Sequence, residues 1–147
     1  MGSEMCIRDS VKRAGLGEED LLRTWNTMIR PTLEYAVPTY HPMLTAEMRD
    51  QIESVQKRAS KMIFGWHTHY DEIINSGKMQ TLDRRREDLT RRFAEKTSKN
   101  ARFGHWFREK DNNVNLRVKK RFVEDYARTE RMKKSPVLYM QRLLNAN

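Results

Sequence analysis

The sequence predicts an all-α fold, namely a small helical bundle built on an antiparallel helical hairpin, followed by a basic and partly irregular C-terminal extension. Apolar residues recur at steps of three and four along much of the chain, which is the period of an amphipathic helix. Proline and glycine separate these helical segments. We predict a disordered tail over residues 1–18, the hairpin over 19–66 and the extension over 67–147.

The first half of the predicted hairpin carries one apolar face that Pro31 interrupts. Because proline removes a helical hydrogen bond, the segment either kinks at Pro31 or restarts there with proline in its first turn. Pro38 and Pro42 then predict a turn or an extended piece. The face consists of Leu21, Leu22, Trp25, Met28, Ile29, Leu33 and Ala36.

The second half of the hairpin is the clearest helix, with Thr45 as its predicted N-cap and Gly65 just past its end. An apolar seam runs along it, and Lys57, Arg58 and Lys61 flank that seam near the C-terminal end, where cations suit the helix dipole. We expect the seam to pack on the Trp25 segment, because it is too short for a free dimeric coiled coil. Its members are Met48, Ile52, Val55, Ala59 and Met62.

Two further helices follow in the predicted extension, a short one from Tyr70 to Ser76 that ends at Gly77 and a longer one after Thr81. The longer helix has a thin apolar stripe, and so much guanidinium crowds its other faces that we expect the arginines to meet water, carboxylates or phosphates. A solvated helix with internal ion pairs and a nucleic-acid face are both open at this point. The stripe is Leu82, Leu89 and Phe93, and the arginines are Arg84, Arg85, Arg86, Arg91 and Arg92.

Aromatic and basic residues alternate after residue 100. Such a pattern can stack unpaired bases, although the spacing of Phe103, Trp106 and Phe107 favours one helical face packed in a core. Residues 111–113 predict a turn, and residues 114–118 weakly predict a short strand. A second basic cluster contains Lys119, Lys120 and Arg121, and a last helix capped by Ser135 is expected to dock through Leu138, Leu143 and Leu144.

Composition excludes several classes of function. The formal charge of +9 favours polyanionic partners, because neutralised phosphates release their counterions. No apolar run of about eighteen residues predicts a membrane span. The lone Cys6 allows no intramolecular disulfide and no cysteine-based zinc site, and His67, His69 and His105 lack a recognisable ligand spacing. With no nucleophile elbow and no phosphate-binding glycine loop, we predict neither a cofactor nor independent enzyme activity.

Two motifs identify the family that the chain resembles. MIRPTLEYAVPTYHP over residues 28–42 and IESVQKRASKMI over residues 52–63 resemble the region just after the catalytic palm in reverse transcriptases of LINE-type (non-LTR) retrotransposons. That family carries RPxLEYAxPxWxP followed by IExVQxRAxxxI, and Tyr40 stands here where the family usually has Trp. The resemblance continues through residues 79–89 to the SPVLYMQRLLN segment over 135–145, and it covers nearly everything from Glu19 onward.

The resemblance implies a thumb-like hairpin and a C-terminal extension of an RNA-directed DNA polymerase whose catalytic palm is missing. No aromatic-Ala-Asp-Asp turn and no other set of metal-binding aspartates is present. The implied partners are RNA or DNA, as template and primer, and the palm of the parent protein. From charge alone we infer backbone contacts for the cationic residues Arg30, Lys57, Arg58, Lys61, Arg84, Arg85, Arg86, Arg91, Arg92, Lys119, Lys120 and Arg121.

An alternative of a different class stays open at the level of sequence. The chain is then a helical structural or protein-interaction fragment without independent activity, its basic residues merely solvated and its apolar seam causing weak self-association. The first ten residues, MGSEMCIRDS, do not continue the family pattern. They resemble translated adapter sequence, so we expect them to be disordered and without function.

Overall fold

The computed structural model describes Ser10, residues 14–110 and residues 120–146. This described part is mostly helical and contains no β-strand, and its one strand-like pairing is an isolated antiparallel bridge between Glu109 and Phe122. The predicted all-α class is therefore confirmed. The α-helices are α1 (Glu18–Thr24), α2 (Arg30–Glu34), α3 (Val37–Tyr40), α4 (Ala46–Phe64), α5 (Tyr70–Asn75), α6 (Leu82–Ser98), α7 (Glu130–Lys133) and α8 (Pro136–Asn145).

The chain divides into two compact units. Unit 1 comprises residues 1–35 and 45–85, and unit 2 comprises residues 36–44 and 86–147. Unit 1 extends past the predicted boundary at residue 66 because Ile73 and Met79 join the core around Trp25. The division into a tail (1–18), a thumb-like hairpin (19–66) and an extension (67–147) remains a prediction.

The first helical segment of unit 1 changes its winding before Pro31. Residues Trp25–Ile29 form a π-helical turn between α1 and α2, and the Arg30 N–H donates to the Trp25 carbonyl five residues earlier. Proline lacks an N–H and its ring crowds the carbonyl four residues back, which the wider π turn relieves. Pro31 lies in the first turn of α2, so the segment restarts at this proline as one of the two predicted alternatives requires.

Helix α4 begins and ends where local signals place it. Thr45 Oγ1 accepts a hydrogen bond from the Met48 N–H at 3.3 Å, and Gly65 follows the last turn at a φ of 111°. That positive φ suits glycine, which has no Cβ to clash. The predictions of Thr45 as the N-cap and of Gly65 just past the end of α4 are therefore confirmed.

The buried face of α4 is not the predicted seam. Met48 and Val55 are 49% and 44% exposed, whereas Gln56 and Ser60 are each 1% exposed. Both polar side chains are hydrogen-bonded, so their burial leaves no unsatisfied group. An apolar periodicity cannot detect such a face, and the seam prediction was wrong for Met48 and Val55 for this reason, whereas Ala59 packs with Trp25 as predicted.

The core of unit 1 brings α4 against the segment that contains Trp25. Trp25 is 2% exposed and belongs to the same cluster as Ala59, Ile63 and Ile73. The two halves of the predicted hairpin therefore share a core, and α5 contributes to it. The partly buried residues around this core are Leu21, Leu22, Leu33, Phe64 and Ile74.

Helix α6 follows Thr81, as predicted, but buries a different face from the predicted stripe. Thr81 Oγ1 accepts from the Arg84 N–H at 3.4 Å, as a capping side chain does. Phe93 is 45% exposed, while Arg86 is 1% exposed, so the expectation that so much guanidinium stays unburied is wrong for Arg86. The buried positions step by four and then three residues: Leu82, Arg86, Thr90, Ala94 and Thr97.

Unit 2 has its own core, to which the last helix contributes. Met140 of α8 packs with Ala94, Phe107 and Phe122, and Val137 and Leu144 border this cluster. Leu138 and Leu143 are also buried, so the predicted docking of α8 is confirmed. Ser135 occupies the N-cap position, although its side chain makes no capping hydrogen bond.

The short helix α3 and the 3₁₀ turn His41–Met43 contact α8 within unit 2. Val37 and His41 are buried, and the His41 Nε2 lies 3.3 Å from the Tyr139 hydroxyl oxygen. The two rings meet edge to face with their centroids 5.6 Å apart. Pro38 and Pro42 thus fall in short helical turns that pack on α8.

The stretch around Phe107 forms a 3₁₀ turn over Gly104–Trp106 instead of the single packed helical face that we predicted. Phe107 is 4% exposed, but Phe103 and Trp106 are 36% and 37% exposed. The prediction of core packing was therefore right for Phe107 only. The turn predicted at 111–113, the strand predicted at 114–118 and Lys119 lie outside the described residues.

Candidate nucleic-acid interface

A basic groove runs beside the C-terminal half of α4. Its lining residues are Ser54, Lys57, Arg58 and Lys61 of α4 together with Trp66, and its volume is about 250 Å³. We call this feature the α4 groove. Three of its five lining residues are cationic and none is acidic, so the groove is a place where an anion meets no opposing carboxylate in the lining.

The helix itself brings these cations together. Lys57 and Lys61 are one turn apart, and Ser54 and Arg58 are one turn apart on the neighbouring row. After α4 ends at Phe64, Gly65 turns the chain so that the Lys61 Nζ lies 5.4 Å from the centroid of the Trp66 ring. The groove thus combines three ammonium or guanidinium groups with an indole wall.

The charges of the α4 groove are arranged unfavourably for the isolated helix. Like charges four residues apart destabilise a helix by roughly 0.2–0.5 kcal/mol, and Lys57 and Lys61 form such a pair. Their position near the C-terminus of α4 offsets part of this through the helix dipole. A bound phosphate would neutralise the remaining repulsion.

A second hollow on unit 1 has the opposite character. It has a volume of about 410 Å³, and its lining includes the four carboxylates of Asp50, Glu53, Asp71 and Asp83. Arg49 and Lys57 also line it, and Arg49 Nη1 lies 3.9 Å from Asp83 Oδ1. With four carboxylates against two cations, this acidic hollow repels phosphate, and Lys57 stands between it and the α4 groove.

A polar network joins α4 to α5 and to the start of α6. The Tyr70 hydroxyl donates to Glu53 Oε1, and Glu53 Oε2 accepts from the Leu82 N–H at 3.1 Å. Gln56 Nε2 lies 2.8 Å from both the Tyr70 hydroxyl and the Gln80 carbonyl oxygen, and donates to each. The network holds the buried face of α4 in place and so determines which cationic side chains of this helix face solvent.

The network raises the pKa of Tyr70 well above its ordinary value of 10.0, first by burial and then by the hydrogen bond to Glu53. Its stabilising effect is complete below the ordinary tyrosine pKa, and it is lost as the pH rises from there toward the folded value. We expect ultraviolet titration to show an ionisation step well above the ordinary tyrosine pKa, and Tyr70→Phe to remove that step. Identical titration of the wild type and the variant would contradict this.

Two of the predicted phosphate contacts are engaged with a carboxylate inside unit 1. Arg30 Nε lies 3.2 Å from Glu34 Oε1, and the Arg85 guanidinium donates to both oxygens of the same carboxylate. Burial and the neighbouring charge of Arg85 lower the pKa of Arg30. A carboxylate that satisfies two guanidinium groups makes both poorer candidates for phosphate.

The remaining arginines of α6 have different surroundings. Arg84 and Arg92 are exposed, Arg91 Nη2 lies 3.4 Å from Glu87 Oε1, and Arg86 is buried. Arg86 therefore cannot reach a ligand in this conformation. The α6 arginines do not form one basic face.

The second basic cluster is partly neutralised within unit 2. Lys120 Nζ donates to Glu124 Oε1 at 2.9 Å, and this hydrogen bond is the main reason why the pKa of Glu124 is lowered. Arg121 Nη2 lies 3.3 Å from Glu109 Oε1, and its guanidinium carbon lies 4.9 Å from the Phe122 ring centroid. Both side chains are exposed to solvent, and each also contacts a carboxylate.

Sequence reasoning did not single out Trp66 or Ser54 as site residues. The signal for Trp66 was its position directly after the helix-ending Gly65, which returns the chain toward the last turns of α4. Among the residues that the structure describes, no group of three His, Cys, Asp or Glu side chains could hold a metal ion. None of the described helices is long and apolar enough to cross a membrane.

Comparisons with known proteins identify no family for the chain. No protein-family model matches the chain, and neither the curated proteins nor the solved structures include a significant match.

Proposed function

We propose that the chain is the C-terminal, post-palm part of a non-LTR retrotransposon reverse transcriptase, and that it binds nucleic acid through the α4 groove. The observation that carries the binding proposal is the lining of this groove, which contains Lys57, Arg58 and Lys61 and no acidic residue. The missing palm would perform the polymerisation, and this part would hold template and primer.

The motif resemblance supports the family assignment. The fixed letters of IExVQxRAxxxI include Glu53, Gln56, Ala59 and Ile63. Each makes an interaction that holds α4 in unit 1, either in the polar network or in the core around Trp25. The motif therefore coincides with residues that build the scaffold of the groove, and the cations are displayed on that scaffold.

The proposed contacts are with the backbone and carry no sequence information. Lys57 and Lys61 are separated by about 6 Å along the helix axis, which is close to the rise of roughly 6.8 Å over two phosphate steps of one strand. Lysine and arginine at this spacing neutralise phosphates without reading base edges. We therefore expect affinity that depends strongly on salt and little on sequence.

The test is fluorescence anisotropy of a labelled RNA–DNA hybrid and a labelled single strand across a salt series. The triple variant Lys57→Gln, Arg58→Gln and Lys61→Gln should reduce the slope of log affinity against log salt by about 2–3, since each phosphate contact contributes about 0.7–0.9. The matched control removes three exposed cations of unit 2, through Lys96→Gln, Arg131→Gln and Lys134→Gln. Equal losses in the two triple variants would show that net charge, and not the groove, governs binding.

A second candidate function is a structural or protein-interaction fragment, and the exposure of Met48 and Val55 favours it. These residues leave an apolar strip on the outer side of α4, where a missing part of the parent or another copy could pack. Sedimentation equilibrium tests it, because self-association through this strip makes the apparent mass rise with concentration. A monomer at high concentration that binds no nucleic acid would contradict both candidates.

A further inference from the structure

Unit 2 exposes a cluster of aromatic side chains beside a cation. Phe103 and Trp106 are 36% and 37% exposed, and their ring centroids lie 5.0 Å apart at an angle of 41°. The exposed His105 meets Trp106 edge to face with the ring centroids 5.8 Å apart, and the guanidinium carbon of Arg102 lies 5.5 Å from the Phe103 ring centroid. We call these four residues the aromatic platform.

Buried residues of unit 2 and the hydrogen bonds of the 3₁₀ turn hold the aromatic platform in place. Gln141, which is 1% exposed, donates through Nε2 to the Trp106 carbonyl oxygen at 2.8 Å, and the adjoining Phe107 is 4% exposed in the core of unit 2. The 3₁₀ turn adds hydrogen bonds from the Trp106 N–H to the Phe103 carbonyl oxygen and from the Phe107 N–H to the Gly104 carbonyl oxygen. The rings are thus exposed on a fixed support, where ligand binding requires little additional ordering.

The charge around the platform favours an anionic ligand. Residues 99–108 contain Lys99, Arg102 and Arg108 and no acidic residue. Arg108 Nη2 lies 2.8 Å from Asp125 Oδ1, whereas Lys99 and Arg102 are exposed. A ligand that presents flat rings and negative charge together fits this surface.

We propose that the aromatic platform binds unpaired bases of a single-stranded nucleic acid, with Trp106 as the main stacking ring and Arg102 as the contact to the adjacent phosphate. The proposal rests on the proposed nucleic-acid function and deepens it, because it names a single strand as the ligand of a second surface. Every base offers a face for stacking only when it is unpaired, so a duplex gains nothing from exposed rings. The platform therefore distinguishes single strands from duplexes, which the phosphate contacts of the α4 groove do not.

The experiment compares a labelled uridine oligomer with an RNA–DNA hybrid of the same length by anisotropy at fixed salt, using the full chain. Trp106→Leu keeps an apolar side chain but removes the stacking surface, and it should weaken binding of the oligomer about 10-fold. Its affinity for the hybrid should stay within twofold of wild type. The matched control is Tyr126→Leu, which removes an 88% exposed ring of unit 2 outside the platform and should change neither affinity.

Trp106→Phe supplies an independent readout. Phenylalanine retains a ring that stacks, so this variant should bind the uridine oligomer nearly as well as wild type. It should lose the part of the tryptophan quenching that a base stacked on Trp106 causes, while quenching of Trp66 in the α4 groove can remain. Quenching as large in Trp106→Phe as in the wild type, or Trp106→Leu affinity unchanged for the oligomer, would overturn the platform.

The outcomes separate the two proposals. If the wild type binds both nucleic acids and Trp106→Leu weakens both equally, the platform is overturned and the α4 groove is unaffected. If the wild type binds neither, both proposals fail. If the oligomer alone is weakened by Trp106→Leu while the α4 groove variants behave like their control, the platform stands and the groove proposal is overturned.

Discussion

Trp25→Ala is expected to lower the free energy of unfolding by about 3–5 kcal/mol, the usual range for removing a large aromatic side chain from a core. Trp25 is 2% exposed and contacts the cluster that holds α4, α5 and the π turn together. Its loss leaves a cavity that neighbours from three segments would have to fill. The measurement is urea denaturation followed by circular dichroism. If the two units unfold in separate transitions, the transition of unit 1 should move alone.

Trp25→Phe is the control for this prediction. The indole Nε1 of Trp25 is buried, and no hydrogen-bond acceptor for it is found in the described part of the chain. Phenylalanine therefore removes an unsatisfied donor and loses only part of the packing, so we expect a cost below about 1.5 kcal/mol. Equal costs for Trp25→Ala and Trp25→Phe would contradict this, because the phenyl ring retained in the core would then contribute nothing to stability.

Glu53→Ala is expected to cost about 1.5–3 kcal/mol, because one carboxylate serves two partners in unit 1. It accepts from the Tyr70 hydroxyl and from the Leu82 N–H, which is a first-turn amide of α6 without a helical acceptor. A negative charge at that position also suits the helix dipole. Its removal leaves both donors unsatisfied and separates α4 from the start of α6.

Two variants provide the controls for Glu53→Ala under the same denaturation assay. Glu53→Gln retains a carbonyl oxygen that accepts one of these hydrogen bonds, so its cost should lie between those of wild type and alanine. Asp50→Asn changes an exposed carboxylate of the same acidic hollow and should alter stability by less than about 0.5 kcal/mol. A Glu53→Ala cost no larger than that of Asp50→Asn would show that the network does not hold unit 1 together.

The candidate site was predictable in part from the sequence. Lys57, Arg58 and Lys61 are within five positions on one helix, so any correct assignment of α4 places them together. Trp66 was not predicted, because its position depends on the direction in which the chain leaves Gly65. Arg30 and Arg85 were predicted to be available, yet both contact Glu34, and Arg85 is far from that carboxylate in sequence.

The sequence by itself determined the helical class and the local signals that begin or end α4, α5 and α8. Thr45, Gly65, Gly77 and Pro136 act through hydrogen bonds, backbone conformation and ring geometry within a few neighbouring residues, so their effects can be inferred without the fold. Gly77, at a φ of 74°, follows α5 as predicted.

Only the tertiary structure decided which faces of those helices are buried. Gln56 is buried because Tyr70 and Gln80, distant in sequence, supply its hydrogen bonds, and Met48 and Val55 are left outside as a consequence. Arg86 is buried on α6, while Phe93 of the same helix is exposed. The cost of burying a polar group depends on partners from other segments, and a pattern along one helix does not contain them.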